Sequence, residues 1–344
     1  MGKDVADITL KQGLSIVIPF YNEAENTEKA LKSAITAASK VGFPVEFILA
    51  NDGSTDGYPK SGLPRDVKFL NLKHSGRIAT RLAGARHALY PSILFLDARV
   101  WIHENSLLNL EKLLQKFPSG HFWNGYVESL NRNLPHVSIW ETLVRVGWSK
   151  IYSTNETINF GLADFDSYPK GTSIFLARKE NWISGLQFLS DIESKSRVAI
   201  SDDTALIRNF ASISDIWIDK SFSADYSPRT KFSAFLRNAR YRGQTFVDSY
   251  WDSKTVFGNL VKFLPTGLLL IPIIYLSAGL KVLMISALAA LIVLGWAFFI
   301  YSFKQWQKMS RAFSETLVLF PMMINFGFGY LKAYAFRLLA RNSS

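Results

Sequence analysis

The chain has 344 residues, carries a formal net charge of +11 and is 48% hydrophobic. This length suits one large domain with additions, or two domains. The sequence contains no cysteine, which excludes disulfide bonds and thiolate metal sites. The positive charge fits attraction to anionic lipid headgroups, and no basic patch with the interleaved aromatic residues of a nucleic-acid-binding module is present.

The N-terminal third alternates short apolar runs with amphipathic helical patterns. Strands are predicted at Leu14–Pro19, Val45–Ala50, Val67–Leu72 and Ser92–Leu96, and helices at Glu23–Lys40, Gly76–His87 and Glu104–Phe117. This alternation predicts a doubly wound α/β domain with a mostly parallel sheet. Right-handed crossovers place the carboxyl ends of all four strands at one edge, where such sheets bind their ligands.

Polar residues follow three of these strands. Tyr21 and Glu23 follow the first strand, the turn Asn51–Gly57 follows the second, and Asp97 ends the fourth. The Asx and Gly residues of the turn favour tight turning and expose backbone N–H groups. A binding site is therefore predicted at this edge. The predicted helix Gly76–His87 carries Arg77 and Arg81 one turn apart on one face.

Two further motifs follow the looser central region. Gly171–Arg178 reads as a strand entering a helix, and Ser201–Arg208 reads as an N-capped helix start with Asp202 and Asp203 in its first turn. Adjacent acids raise one another's pKa, which suits a general base. The alternative interpretation is an acidic pair that only stabilises the helix N-terminus.

A basic segment precedes the apolar C-terminal region. Within Arg229–Arg242, the group of Arg237, Arg240 and Arg242 is a candidate to bind phosphate, or else forms a solvated or lipid-facing stripe. Basic residues flank both ends of the region that follows, which predicts that both flanks and the large N-terminal part lie in the cytoplasm. These residues are Lys254, Lys262, Lys304, Lys308 and Arg311.

The last eighty residues have the composition of membrane-spanning helices. Phe263–Leu280 and Val282–Phe303 carry no charge, and only Lys281 separates them. Each run is close to the roughly 20 residues that cross a bilayer as a helix, so two spans joined by a tight turn are predicted. A third segment, Ala312–Leu331, contains one charge, Glu315, and spans, lies in the interface or packs on the first two.

Taken together, these motifs resemble the family 2 glycosyltransferases, and in particular the membrane-anchored members with an N-terminal catalytic domain of the GT-A fold. The resemblance implies a GT-A catalytic domain over residues 1–228, a basic juxtamembrane segment over 229–262 and a transmembrane region of two to three helices over 263–344. It is carried, in order, by Pro19-Phe20-Tyr21-Asn22-Glu23, Asn51–Gly57, the Gly76…Arg81…Gly84 helix, Asp97, Gly171 and Asp202-Asp203.

The resemblance also implies an activity and residue roles. The activity is inverting transfer of a sugar from a nucleotide-diphosphate donor to a hydroxyl of a cell-surface polysaccharide or lipid-linked glycan. Asp203 matches the general base and Asp202 its acidic neighbour. The residues implied to bind the donor are Pro19, Tyr21, Glu23, Asp52, Arg81 and Asp97. Of these, Asp52 would contact the nucleotide base, Arg81 would lie near the phosphates and Asp97 would belong to the metal site.

One departure from the family pattern concerns the metal. The family usually has Asp-x-Asp at the fourth strand end, whereas this chain reads Asp97-Ala98-Arg99. Either Asp97 holds Mg²⁺ or Mn²⁺ together with the donor phosphates, or Arg99 partly substitutes for the ion by pairing with phosphate.

Two other functions remain open at this point. A polyprenyl-phosphate glycosyltransferase would use lipid phosphate as its nucleophile and would need no general base. A catalytically inactive domain would bind nucleotide sugar or serve as a scaffold at the membrane. The leading interpretation predicts a multi-pass membrane protein whose catalytic domain faces the cytoplasm. Its predicted partners are a nucleotide-diphosphate sugar, a glycan or polyprenyl-linked acceptor and membrane lipid, and not nucleic acid.

Overall fold

A computed structural model describes residues 7–59, 62–195, 201–251, 253 and 256–341. The chain divides into two compact units. The sheet unit comprises Met1–Leu130, Gly147–Lys195 and Asp202–Pro228, and the helical unit comprises Asn131–Val146, Ser196–Ser201 and Arg229–Ser344. Lys254, one of the basic residues used to predict orientation, lies outside the described residues.

The described part of the sheet unit contains nine strands and six helices. The strands are β1 Leu14–Phe20, β2 Val45–Asn51, β3 Val67–Asn71, β4 Ser92–Leu96, β5 Val100–Ile102, β6 Phe122–Ser129, β7 Ile158–Phe160, β8 Ile174–Arg178 and β9 Ile216–Tyr226. The helices are α1 Ala24–Ala38, α2 Arg77–His87, α3 Ser106–Lys116, α5 Ser149–Ser153, α6 Lys179–Lys195 and α7 Asp202–Ala211.

All nine strands form one mixed sheet. Its order is β3-β2-β1-β4-β8-β6-β9-β5, with β7 paired to β9. The first four strands run parallel, β8 is antiparallel to β4, and β6 and β9 run parallel to each other. The predicted α/β fold with a mostly parallel sheet is therefore confirmed, and the carboxyl ends of β1, β2, β3 and β4 share one edge.

Alternating side chains give the sheet two apolar faces. In β1, Ile16 and Ile18 join the core that packs against α1 and α3, whereas Val17 points into the core that packs against α2, α6 and α7. Because residues of a strand alternate between faces, every central strand contributes to both cores. Helices on both faces explain why these strands are nearly uninterrupted apolar runs.

Two features of the strands differ from the prediction. β1 continues past Pro19 to Phe20, since its pairing with β4 ends at Val17 and the proline lies where β1 pairs only with β2. Strands β5, β6, β7 and β9 were not predicted from the sequence. Their pairing with distant strands stabilises them, and β6 changes register between Gly125 and Tyr126, which interrupts its alternation.

The helical unit contains four helices in its described residues. They are α4 Pro135–Gly147, α8 Phe232–Tyr250, α9 Val256–Trp306 and α10 Met309–Arg341. α9 is kinked at Gly279, which has φ +79 and lies two residues before Lys281, where a break was predicted. Within the described residues, Gly279–Trp306 and Met309–Leu339 are long and apolar enough to cross a bilayer.

We expect Gly84→Ala to destabilise the sheet unit. A Cβ atom at Gly84 on α2 would lie 2.5 Å from Val17 Cγ1 on β1, and the resulting overpacking costs about 1–3 kcal/mol. This exceeds the gain in helix propensity of about 1 kcal/mol. Thermal unfolding of the full chain in detergent should show a lower Tm. The control is Gly42→Ala, where a Cβ atom meets nothing within 4 Å; equal Tm values for the two variants would contradict the packing argument.

Candidate active site

Two acidic residues in the loop after β2 cap the helices on either side of β2. Asp52 Oδ1 accepts a hydrogen bond from the N–H of Ser75 at 2.8 Å, and the N–H of Gly76 lies 3.1 Å from Asp52 Oδ2. Asp56 Oδ2 accepts from the N–H of Ala24 at 2.8 Å. Neither α1 nor α2 has a side-chain cap from its own N-cap residue. The two carboxylates therefore supply that interaction at both helix N-termini.

Further contacts join the loops after β1, β2 and β3. The N–H of Asn22 donates to Ser54 Oγ at 2.9 Å, and Asn22 Oδ1 accepts from the N–H of Thr55 at 2.8 Å. A Cβ atom at Gly53, which has φ +71, would lie 2.8 Å from the backbone nitrogen of His74. Glycine is therefore required there, and the three loops pack closely at the edge where the strands end.

An exposed aromatic pair lies at this edge. The rings of Tyr21 and His74 stack with their centres 4.3 Å apart, and Tyr21 is 45% exposed. His74 Nδ1 lies 3.0 Å from both the carbonyl oxygen and Oδ2 of Asp52. Sequence reasoning included Tyr21 and Asp52 but missed His74, because a single histidine has no ligand spacing; its position just after a parallel strand was the available signal.

Arg99, the cation in the place of the usual second acid, is paired with Glu23. Arg99 Nη1 lies 3.0 Å and 2.9 Å from the two carboxylate oxygens of Glu23, and Arg99 Nε donates to the carbonyl of Ser227 at 2.7 Å. Both side chains of the pair are largely buried. Two of the three guanidinium nitrogens thus have partners within the sheet unit. That Arg99 partly replaces a metal ion by pairing with phosphate stays a prediction.

Arg81 is the centre of a second cluster. It is 7% exposed, and its Nη2 lies 2.9 Å from Asp97 Oδ1. Its Nη1 donates to Thr172 Oγ1 at 3.2 Å and lies 3.6 Å from Asp203 Oδ1. Thr172 in turn donates to Asp203 Oδ1. One buried guanidinium therefore joins α2, the end of β4, the segment before β8 and the start of α7.

The structure distinguishes the two adjacent acids. The carboxylate of Asp202 is buried and lies 3.1 Å from Arg77 Nη2. The side chain of Asp203 is 38% exposed and faces Arg81. Of the two residues, Asp203 is thus the one with an accessible carboxylate beside the Arg81 cluster.

Burial and like charge shift the pKa values of this cluster. Burial, followed by the neighbouring Asp203, raises the pKa of Asp202 to about 6, against the opposing effect of Arg77 and Arg81. Burial also raises the pKa of Asp97, which Arg81 partly offsets. Burial acts to lower the pKa of Arg81, but Asp97, Asp203 and Asp202 raise it by more, so the guanidinium stays charged.

The residues at the end of β4 fit a divalent cation only if substrate phosphates supply the other ligands. The described residues contain no group of three or more His, Cys, Asp or Glu side chains placed to hold an ion. The side chain of Asp97 is 36% exposed, whereas Ala98 offers no ligand and Arg99 is paired with Glu23. Mg²⁺ is commonly held by one or two carboxylates together with substrate phosphates, and Asp97 fits that arrangement.

The predicted site residues divide between the two units. Pro19 lies near the end of β1. The other predicted residues of the sheet unit also lie at or near the edge where β1 to β4 end. Arg240 and Arg242 belong to α8 of the helical unit, where the Arg242 guanidinium lies 4.5 Å from the ring centre of Trp140. The donor-binding and catalytic roles of all these residues stay predictions.

Sequence comparison gives partial matches to glycosyltransferases. Residues 15–169 match the family described as Glycosyl transferase family 2. An undecaprenyl-phosphate 4-deoxy-4-formamido-L-arabinose transferase from Edwardsiella ictaluri is 30% identical over 102 residues, which is 27% of this chain and 31% of that protein. A polypeptide N-acetylgalactosaminyltransferase 11 from Xenopus tropicalis is 32% identical over 99 residues, 26% of this chain and 16% of that protein. The matches thus cover less than a third of each relative.

Comparison with solved structures supports the fold. A mannosyltransferase from Pyrobaculum calidifontis, in complex with GDP-Man and Mn²⁺, matches with a TM-score of 0.52 and 14% identity over 91% of this chain and 87% of that one. At this identity the likeness concerns the fold. The sheet order and the motif-bearing edge agree with this likeness in fold, and residues 15–169, rather less than half of the chain, match a Glycosyl transferase family 2 domain.

Proposed function

We propose that the chain is an inverting glycosyltransferase that moves a sugar from a nucleotide-diphosphate donor to a hydroxyl of a glycan or lipid-linked glycan. The observation that carries this proposal is the Arg81 cluster, in which one buried guanidinium holds Asp97 and the accessible carboxylate of Asp203 at the end of a parallel sheet. A positive charge for a diphosphate and a proton acceptor for a hydroxyl are the two groups that this reaction needs.

The aromatic pair forms the proposed end of the site for the nucleotide base. A planar base stacks on an exposed aromatic ring, and the pair of Tyr21 and His74 offers such a surface. Asp52 already accepts hydrogen bonds from two backbone N–H groups beside this pair. A contact between Asp52 and the base would therefore also hold in place the loop that precedes α2.

The proposed chemical step uses Asp203 as the base. The acceptor oxygen attacks the anomeric carbon, the bond from that carbon to the phosphate oxygen breaks, and the nucleoside diphosphate leaves with the electron pair. The hydroxyl proton passes to Asp203, which Thr172 and Arg81 orient. Arg81 also contributes positive charge close to the place where the leaving group becomes more negative.

A divalent cation fits at Asp97 in this proposal. When bound, Mg²⁺ or Mn²⁺ would neutralise charge on the donor diphosphate. Asp97 is the protein residue that would hold it, and Arg81 would keep the Asp97 carboxylate in position.

Membrane attachment completes the proposal. Gly279–Trp306 of α9 could span a bilayer, and the other half of α9 contains the uncharged run Phe263–Leu280. We propose that α9 crosses the membrane in two passes on either side of its kink at Gly279, with the sheet unit in the cytoplasm. The catalytic unit is thereby held at the surface where a polyprenyl-linked acceptor is found.

The name of one relative favours a second candidate. The Edwardsiella ictaluri protein is named as an undecaprenyl-phosphate sugar transferase. In such a reaction the lipid phosphate is already ionised and attacks the sugar without a general base. The product formed from radiolabelled donor and membrane lipid separates the two functions, and donor binding without transfer would instead indicate an inactive scaffold.

We expect Asp203→Asn to reduce kcat by about 100-fold or more while the KM for the donor changes little, because a general base contributes a factor of about 10²–10⁴. The assay combines purified full chain, nucleotide sugars and lipid acceptors. Asp66→Asn, at an exposed position of the sheet unit, is the control. Turnover by Asp203→Asn at the wild-type rate would overturn the base assignment and would favour the phosphate acceptor.

We expect the effect of Asp202→Asn on stability to depend on pH. The pKa of Asp202 in the folded chain, about 6, exceeds the ordinary value of 3.8. The folded chain therefore binds this proton more tightly than the unfolded chain, and the resulting stabilisation is lost as pH rises through about 6. The Tm of Asp202→Asn minus that of the wild type should increase between pH 4.5 and pH 7.5, by about 2–4 °C for each kcal/mol lost.

The matched control for this measurement is again Asp66→Asn, whose Tm difference from the wild type should stay nearly constant over the same range. A constant difference for Asp202→Asn as well would show that the buried carboxyl gains no proton in the folded chain near neutral pH.

A further inference from the structure

One face of α10 is an exposed apolar stripe. Its large side chains are between 43% and 65% exposed and recur at intervals of three, four and seven residues, which places them along one side of the helix. Exposure of so long an apolar stripe to water is unfavourable, whereas contact with lipid is favourable. The stripe comprises Met309, Phe313, Leu317, Ile324, Phe328 and Leu331.

Another part of α10 packs closely on α8. A Cβ atom at Gly329 would lie 1.8 Å from the carbonyl oxygen of Arg240, and one at Gly243 would lie 2.0 Å from the carbonyl oxygen of Phe326. Glycines at these two positions let the two backbones touch. The contact lies near the middle of α10, since Asn325 is midway between its ends at Met309 and Arg341.

The contact brings charged residues to the middle of α10. Arg240 Nη2 lies 3.5 Å from Asn325 Oδ1, and the Arg240 guanidinium lies 5.6 Å from the ring centre of Phe328. Arg237, Arg240 and Arg242 are all exposed. If α10 crossed a bilayer with Asn325 at the midplane, α8 would carry these arginines towards the hydrocarbon core, where exposed arginine is strongly unfavourable.

Met309–Leu339 is long and apolar enough to cross a bilayer by length and composition. The distribution of charges along α10 nevertheless disfavours a crossing. The stretch without charge between Glu315 and Lys332 has about 16 residues, fewer than the roughly 20 that a helix needs to cross.

A polar cluster fixes the start of α10 beside the end of α9. Glu315 is fully buried and accepts hydrogen bonds from Ser302 Oγ at 2.7 Å, Thr142 Oγ1 at 2.8 Å and Arg311 Nε at 2.9 Å. The Arg311 guanidinium lies 3.5 Å from the ring centre of Trp306. Tryptophan beside arginine is typical of the membrane–water interface, which indicates that α9 leaves the bilayer at this level.

We propose that α10 does not cross the membrane but lies along its surface with α8. The apolar stripe enters the boundary between headgroups and acyl chains, and the arginines of α8 contact anionic headgroups. The membrane crossings are then made by α9. This inference concerns the anchoring proposed above, and its test needs no sugar transfer, so it stands or fails independently of the catalytic proposal.

The absence of cysteine in the chain permits a labelling experiment. Ser310→Cys and Lys332→Cys introduce exposed thiols about 33 Å apart along α10, and Lys40→Cys marks the side of the sheet unit. Each full-length variant is reconstituted in sealed vesicles containing anionic lipid and treated with a membrane-impermeant maleimide before and after permeabilisation. We expect Ser310→Cys and Lys332→Cys to label from the same side, with accessible fractions equal within about twofold. Labelling from opposite sides would overturn the proposal.

Depth measurements provide a second readout. A fluorescent label on Ile324→Cys, in the middle of the stripe, should be quenched more strongly by lipids with a quencher near the headgroup than by lipids with a quencher near the chain end. A label on Arg237→Cys, exposed on α8, serves as the control and should be quenched less than the Ile324→Cys label by both lipids. Strongest quenching of the Ile324→Cys label by the deep quencher, or no quenching at all, would contradict an interfacial helix.

Discussion

The sheet unit depends on one buried guanidinium. Arg81 is almost inaccessible to solvent, and a buried cation is tolerated only when opposite charges and hydrogen-bond acceptors surround it. Asp97, Thr172 and Asp203 provide these partners from three elements that are far apart in sequence. The requirement to neutralise Arg81 therefore brings the end of β4 and the start of α7 together, and the same contacts leave the carboxylate of Asp203 oriented and partly accessible.

Acidic residues elsewhere in the unit combine structural and proposed functional roles. Asp52 and Asp56 cap helices that flank β2, so the loop between them fixes two helix N-termini at the sheet edge. Arg99 shows how a departure from the family pattern is accommodated. The position that usually carries an acid carries a cation, and that cation pairs with Glu23 of the first motif. The charge is thus compensated inside the fold, and Asp97 is left as the acid of that motif.

The helical unit follows a different physical rule. Its apolar surface is too extensive for water, yet it includes a fully buried carboxylate, Glu315, with hydroxyl and guanidinium partners from α4, α9 and α10. A polar group in an apolar environment selects one arrangement of helices, because any other arrangement leaves it without hydrogen bonds. Glycine contacts between α8 and α10 specify their packing in a complementary way, through close backbone approach.

The sequence by itself determined the strands and helices of the first hundred residues, since buried parallel strands and amphipathic helices leave periodic apolar patterns. It also identified the motifs around Asp52, Arg81, Asp97 and Asp203, and the apolar C-terminal region. Only the tertiary structure showed that β5, β6, β7 and β9 complete the sheet, that His74 stacks on Tyr21 and that Arg99 pairs with Glu23. The reason is physical: periodicity records which side of an element is buried, whereas the partner of a polar or charged group is set by contacts between residues distant in sequence.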